Sequence, residues 1–188
     1  MAKAAAPKGQ GLGIVAPAKV LHLPDHDVVV ACVDQLVQLA IDPGHGMGQA
    51  LAEAFPAARA VFAEVDEALG QNLSVLMRDG PDEALRLTEN AQPALMAVSL
   101  AAMRALESEF GVAVTAASYV AGHSLGEYSA LAAAGAFSVA DAARLLKRRG
   151  QAMQRAVPVG AGAMASLIGK VDVALAEEIA AEGAKAGV

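Results

Sequence analysis

The segment that most restricts what this chain can fold into is "SYVAGHSLGEYSALAAAG", residues 118–135. An apolar run leads into Gly122-His123-Ser124-Leu125-Gly126, and an alanine-rich run leaves it. The first has the character of a strand and the second that of a helix. Joining them through one tight turn crowds the backbone two residues to either side of the apex. Glycine at 122 and 126 removes the Cβ atoms that would collide there. The hydroxyl of Ser124 then projects away from the sheet, and the next backbone N–H, that of Leu125, points toward the same space. The unpaired N–H groups of the new helix add positive potential at that spot. Ser124 is therefore a candidate nucleophile. The Leu125 N–H is a candidate oxyanion donor, a kind of contact worth roughly 2.7–4 kcal/mol of barrier. With 18 glycines among 188 residues, G-x-S-x-G also arises by chance. The strand before it and the helix after it are what favour the turn.

The rest of the chain reads as alternating strands and helices, an α/β pattern. "DVVVACVDQLVQLAI" carries a β-branched apolar run suited to a buried strand. Residues 49–69 have helical spacing, and Pro56 divides them into two helices. "GPDEALRLTENAQPAL" reads as a short helix and a polar loop, with Pro93 in the first turn of a helix over 93–109. The helix after Ser124 stops at Gly135. Ser138, with Asp141 three residues on, starts the next helix with a capping-box-like pair. That helix carries "DAARLLKRRGQAMQRAV"; "AMASLIG" then reads as a strand and "DVALAEEIAAEGA" as a final helix. Residues 1–26 are rich in Ala, Gly, Pro and Lys and read as a flexible lead-in.

Composition excludes several classes. The net charge of −6 and the lack of a clustered basic face argue against nucleic acid. No apolar run reaches the roughly 18 residues of a membrane helix. Metal-ligand spacing is absent, so no metal is expected. The single cysteine, Cys32, forms no internal disulfide and fits a reducing, cytoplasmic setting.

The string "GHSLGEYSAL" resembles, almost letter for letter, the nucleophile segment of malonyl-CoA:acyl-carrier-protein transacylases, the acyltransferases of fatty-acid and polyketide synthesis. "MGQALAEAFPAARAVFAEVDEALG", "TENAQPALMAVS" and "AGAFSVADAARLLKRRGQAMQRAVPVGAGAMASLIG" extend the likeness over roughly residues 43–180. The resemblance implies an α/β fold: a partial α/β-hydrolase-like core with a parallel sheet and a nucleophile elbow over 41–157. The start of a small ferredoxin-like subdomain follows over 158–188, and residues 1–40 are an unmatched extension. On this likeness the chain is expected to be a partial member. It implies that Ser124 takes a malonyl group from malonyl-CoA as an ester and passes it to the phosphopantetheine thiol of acyl-carrier protein, with no cofactor. It also implies that Arg149, in "KRRG", binds the malonyl carboxylate, for which the planar guanidinium fork is suited. His123 borders the substrate space or serves packing, and Met153, one turn beyond Arg149, lines the same pocket or joins the core. Lys147 and Arg148 are weak candidates for a basic patch facing the acidic carrier protein.

The sequence departs from the family pattern at two places. The resemblance implies a histidine base after the serine, yet the four histidines are His22, His26, His45 and His123. It also implies a glutamine of the oxyanion site where "IDPGHGMG" has His45. A sheet short of strands is also expected to leave an apolar edge exposed. Three readings stay open: malonyl transfer, a serine thioesterase or esterase, and a non-catalytic fragment that binds CoA or the carrier protein.

Overall fold

The structure, a computed structural model, describes residues 30–32, 46–161 and 172–185. Strand β1 (Val30–Cys32) lies parallel to β2 (Tyr119–Ala121), with Val30 opposite Tyr119 and Cys32 opposite Ala121. Between them in the chain come α1 (Gln49–Ala54), α2 (Pro56–Leu69), α3 (Leu73–Asp79), α4 (Asp82–Arg86) and α5 (Thr88–Phe110). A single 3₁₀ turn, Val114–Ala116, precedes β2; α6 (Leu125–Ala133), α7 (Val139–Ala156) and α8 (Val173–Lys185) follow it. The α/β expectation holds in its coarse form. Among the described residues the molecule is mostly helical, with one parallel pair of strands. The rest of the first expected strand, "AMASLIG" and His45 lie outside the described residues.

Pro56 opens α2 as its first residue, and Phe55 before it is extended at φ −126° and ψ 116°, the conformation a following proline enforces. Ala58, Val61, Phe62 and Val65 recur on one face of α2 and are buried. They meet Met96, Ala97 and Leu100 of α5 and Leu146 of α7 in one apolar core, which Leu73, Met77 and Leu85 extend under α3 and α4. Thus α2, α5 and α7 form the body on which the serine turn is mounted.

Ser138 caps α7 as its spacing implied: its Oγ accepts from Asp141 N–H at 3.0 Å and donates to the Asp141 carboxylate at 2.7 Å. Ser138→Ala is expected to cost about 1 kcal/mol, read as a lowered midpoint in urea unfolding. An unchanged midpoint would remove the cap from the account of α7.

One expectation is corrected. Helix α5 starts at Thr88, so "TENAQ" is helical and Pro93 is the sixth residue of the helix. The proline forfeits only the bond that residue 93 would give to Glu89 C=O. The starting turn is held from elsewhere. Asn90 and Ala91 N–H both reach Leu87 C=O at 2.8 Å, and Glu89 N–H donates at 3.1 Å to Gln154 Oε1 on α7. Continuing the helix backward places Asn90 and Gln92, both buried, against α7.

Strand β2 is only partly covered. It alternates exposed, half-buried, exposed, and Tyr119 is 60% exposed.

Candidate functional site: the serine turn and its arginine

β2 ends at Ala121 and α6 begins at Leu125, so three residues reverse the chain. Ser124 stands at the apex with φ 58° and ψ −118°, the only non-glycine residue of positive φ among the described residues. Such backbone costs on the order of 1–3 kcal/mol and persists where its surroundings over-determine it. The surroundings here are the backbone of α6 itself. A Cβ on Gly122 would stand 1.9 Å from Gly126 O and 2.0 Å from Gly126 C. Hence the incoming strand touches the first turn of the outgoing helix, and only glycine allows it. Gly126 N–H bonds back to His123 C=O at 3.0 Å and Glu127 N–H to Ser124 C=O at 3.3 Å. The Leu125 N–H precedes them and is one of the donors that a helix start leaves without a helical partner. Ser124 and His123 are both exposed.

The structure brings Arg149 to this serine. Arg149 projects from the middle of α7, and its Nη2 donates to Ser124 Oγ at 3.0 Å. Its Nη1 donates to Gln92 Oε1 on α5. Both acceptors are neutral oxygens, whereas Arg78, Arg104 and Arg144 each face a carboxylate. The half-buried charge of Arg149 is thus unneutralised by these partners and suited to an anionic ligand. Met153 is 39% exposed and lies beside the site through Gln92, whose Nε2 meets Met153 Sδ at 3.3 Å. Its helical spacing therefore does not put it in the core.

Lys147 behaves differently from its neighbours. Its Nζ donates to Gln71 Oε1 and Asn90 Oδ1, each at 2.8 Å, and lies 3.6 Å from Glu89. It ties α7 to the start of α5, which corrects the expectation that it faces a partner. Arg148 alone of that pair is exposed.

Gln92 was not legible as a site residue. The expected polar loop concealed it; only a helix beginning at Thr88 turns it toward Arg149. The close approach of the two helices has a visible cause. A Cβ on Gly150 would stand 2.4 Å from Glu89 Cα and 2.6 Å from Thr88 O, so α5 begins directly on the backbone of α7.

Among the described residues no group of three or more His, Cys, Asp or Glu is arranged to hold a metal ion, and no helix is long and apolar enough to cross a membrane.

A parallel strand, a sharp serine-bearing turn and a following helix, with an arginine within reach of the hydroxyl, make up the candidate site of this α/β protein. Residues 44–182 match the family model described as the acyl transferase domain. The chain belongs to that family. It is 49% identical over 124 residues to the malonyl CoA-acyl carrier protein transacylase of Bacillus subtilis, covering 66% of this chain and 38% of that protein. Among solved structures it is similar to the acyl-carrier-protein-S-malonyltransferase from Bartonella henselae, at 56% identity and a TM-score of 0.67, over 77% of this chain and 46% of the other. It is also similar to a malonyl-transacylase in complex with its type II polyketide-synthase acyl-carrier protein, at 46% identity and a TM-score of 0.61, over 68% and 40% of the two chains. The chain spans less than half the length of each of these relatives.

Proposed function

We propose that this chain carries the acyl-accepting part of a malonyl-CoA:acyl-carrier-protein transacylase, with Ser124 as the nucleophile. The observation that carries the reading is the 3.0 Å contact of Arg149 Nη2 with Ser124 Oγ at the apex of the glycine-flanked turn. Malonyl differs from acetyl by one carboxylate, so a site selective for it needs a fixed cation close to the acylated oxygen. Arg149 supplies one at that place. In the reaction Ser124 Oγ attacks the malonyl thioester carbonyl, and the oxyanion of the tetrahedral intermediate lies at Leu125 N–H. Collapse breaks the C–S bond and releases CoA as its thiol, which takes up the proton lost by the serine. The phosphopantetheine thiol of the carrier protein then attacks the ester and restores the hydroxyl.

A guanidinium only donates hydrogen bonds, so Arg149 is not the base that removes the serine proton. The family likeness implies a histidine that follows the nucleophile. No histidine follows Ser124 in these 188 residues. None of the described residues is assigned the proton transfer. The finer fold reading, an α/β-hydrolase-like core over 41–157 entering a ferredoxin-like subdomain at 158, belongs to the same proposal. So does cytoplasmic action without a cofactor. Arg148, exposed on α7 beside Arg149, is the residue assigned to face the acidic carrier protein.

Incubating the protein with malonyl-CoA and measuring intact mass tests the reading. One malonyl adduct is expected, lost in Ser124→Ala. Arg149→Ala is expected to lower malonyl loading about 100-fold, and acetyl loading far less, because two charge-assisted bonds of about 1.5 kcal/mol each disappear. Folded protein that binds malonyl-CoA without forming the ester overturns the catalytic reading in favour of a binding module. Turnover of uncharged esters with no malonyl preference favours a hydrolase.

A further inference from the structure

We infer that the cavity between α1, α2 and α3 is a binding site for a small amphiphile with a single carboxylate, held by Arg59. The cavity measures about 490 Å³, and none of Ser124, Arg149, Gln92 or Met153 lines it. Pockets of roughly 300–1,000 Å³ are the ones that hold small molecules. Its floor is apolar, made by the buried side chains of Met47, Phe62 and Met77. The walls are fixed by contacts of their own. Gly46 N–H donates to Met77 C=O at 2.7 Å, which ties the loop before α1 to α3. Gly48 lies against Phe62, where a Cβ would stand 2.8 Å from the ring Cζ. Arg59 Nε donates to Ala52 C=O at 3.0 Å, which ties α2 to α1. The cavity is therefore formed before any guest enters. An aliphatic chain laid on its floor leaves water and meets apolar side chains.

The charged groups at the cavity decide which head group fits. Arg78 closes its fork on Asp79, with Nε and Nη2 each donating at 2.9 Å to a carboxylate oxygen. Both carboxylate oxygens of Asp66 accept from Ser74, one from its N–H at 2.8 Å and the other from its hydroxyl. Glu53 accepts from Gln49 Nε2 at 2.8 Å. Arg59 differs. Its Nε is engaged with Ala52, and among the described residues no carboxylate lies within ion-pair distance of it. Its two η nitrogens keep their N–H donors, and a guanidinium so placed takes a carboxylate on two parallel bonds. The carboxylates of Glu53 and Asp66 line the same cavity, so a singly charged head group fits better than a doubly charged phosphate.

The experiment uses the full chain with ¹³C-labelled methionine methyl groups, and octanoate, octanol and octylammonium as probes. The Met47 and Met77 methyl signals are followed by NMR through each titration. Octanoate is expected to shift both saturably. Octanol, which matches its chain and lacks the charge, is expected to bind about tenfold more weakly. Arg59→Gln is expected to bring octanoate to the level of octanol and to leave octanol unchanged. Ala63→Trp, which fills the cavity from an exposed position of α2, is expected to abolish both. Arg149→Ala is expected to leave the octanoate shifts at Met47 and Met77 in place. The inference is overturned if octanoate shifts neither methyl, if octanol or octylammonium binds as tightly, or if Arg59→Gln changes nothing. It is overturned equally if Arg149→Ala abolishes the shifts, since the carboxylate then belongs to the serine site. The comparison of octanoate with octanol is made on the unmodified protein, so it decides should a variant not fold. No step of it requires acylation of Ser124, so failure of the malonyl reading leaves this result standing.

Discussion

Gly122→Ala is expected to abolish acylation of Ser124 and to destabilise the fold by about 4 kcal/mol or more, the range reserved for a few severe mechanisms. For a chain of this size that corresponds to a fall in Tm of roughly 8–16 °C. The cause is crowding. The added methyl would stand 1.9 Å from Gly126 O, 2.0 Å from Gly126 C and 2.6 Å from Glu127 N. All three are backbone atoms, so no side-chain rotation relieves the overlap. Either β2 retreats or the start of α6 unwinds, and both move Ser124 and the Leu125 N–H away from their shared focus. Thermal melting of the variant, followed by mass measurement after malonyl-CoA treatment, checks both halves. A variant that melts within a degree of the parent and still carries the adduct would show that the strand and helix do not meet at this glycine.

How much of this was legible beforehand differs between the turn and its surroundings. The turn is a local device: two glycines, a serine and the character of the flanking runs specify it, and the geometry at 122–126 agrees. The Ser138 cap and the break at Pro56 are local too, and both are found where the spacing put them. Proline at 93 misled because the first-turn preference is only a tendency. The bonds that let the helix begin earlier come from Leu87 and from Gln154, the latter 65 residues away. No window of sequence around Pro93 contains that second partner. The same non-locality hid Gln92, whose relevance exists only after α5 lies on α7. It also made Lys147 look like a surface cation, when Gln71 and Asn90 draw it inward. Arg149 was assigned from family likeness. Its helix alone does not distinguish it from Arg148 next to it; the contact with Ser124 does. The α/β class followed from the alternation of elements, and the parallel sheet was implied by the family likeness; the number of strands followed from neither.

Gly150→Ala is a case in which two physical effects oppose each other and their sizes decide the sign. Gly150 lies inside α7, where alanine is favoured over glycine by about 1 kcal/mol on helix propensity alone. Gly183 in α8 has open space around its missing Cβ, so Gly183→Ala should show that gain, with a rise in Tm. At Gly150 the same methyl would stand 2.4 Å from Glu89 Cα, 2.6 Å from Glu89 N and 2.6 Å from Thr88 O. The start of α5 must then lift from α7. Displacing it breaks the Glu89 N–H bond to Gln154 and strains the part-buried set of Asn90, Gln71 and Lys147. Losing even two of these partly buried bonds outweighs the propensity gain, at about 1–3 kcal/mol for each group left unsatisfied. A net destabilisation of about 3 kcal/mol is expected. Gln92 rides on the lifted turn, so its hydrogen bond from Arg149 is disturbed in the same movement. Malonyl loading should therefore fall more steeply than acetyl loading in Gly150→Ala, at a temperature where the protein remains folded. If Gly150→Ala instead raises Tm as Gly183→Ala does, the two helices do not touch through this glycine, and the placement of Gln92 beside Arg149 loses its structural cause.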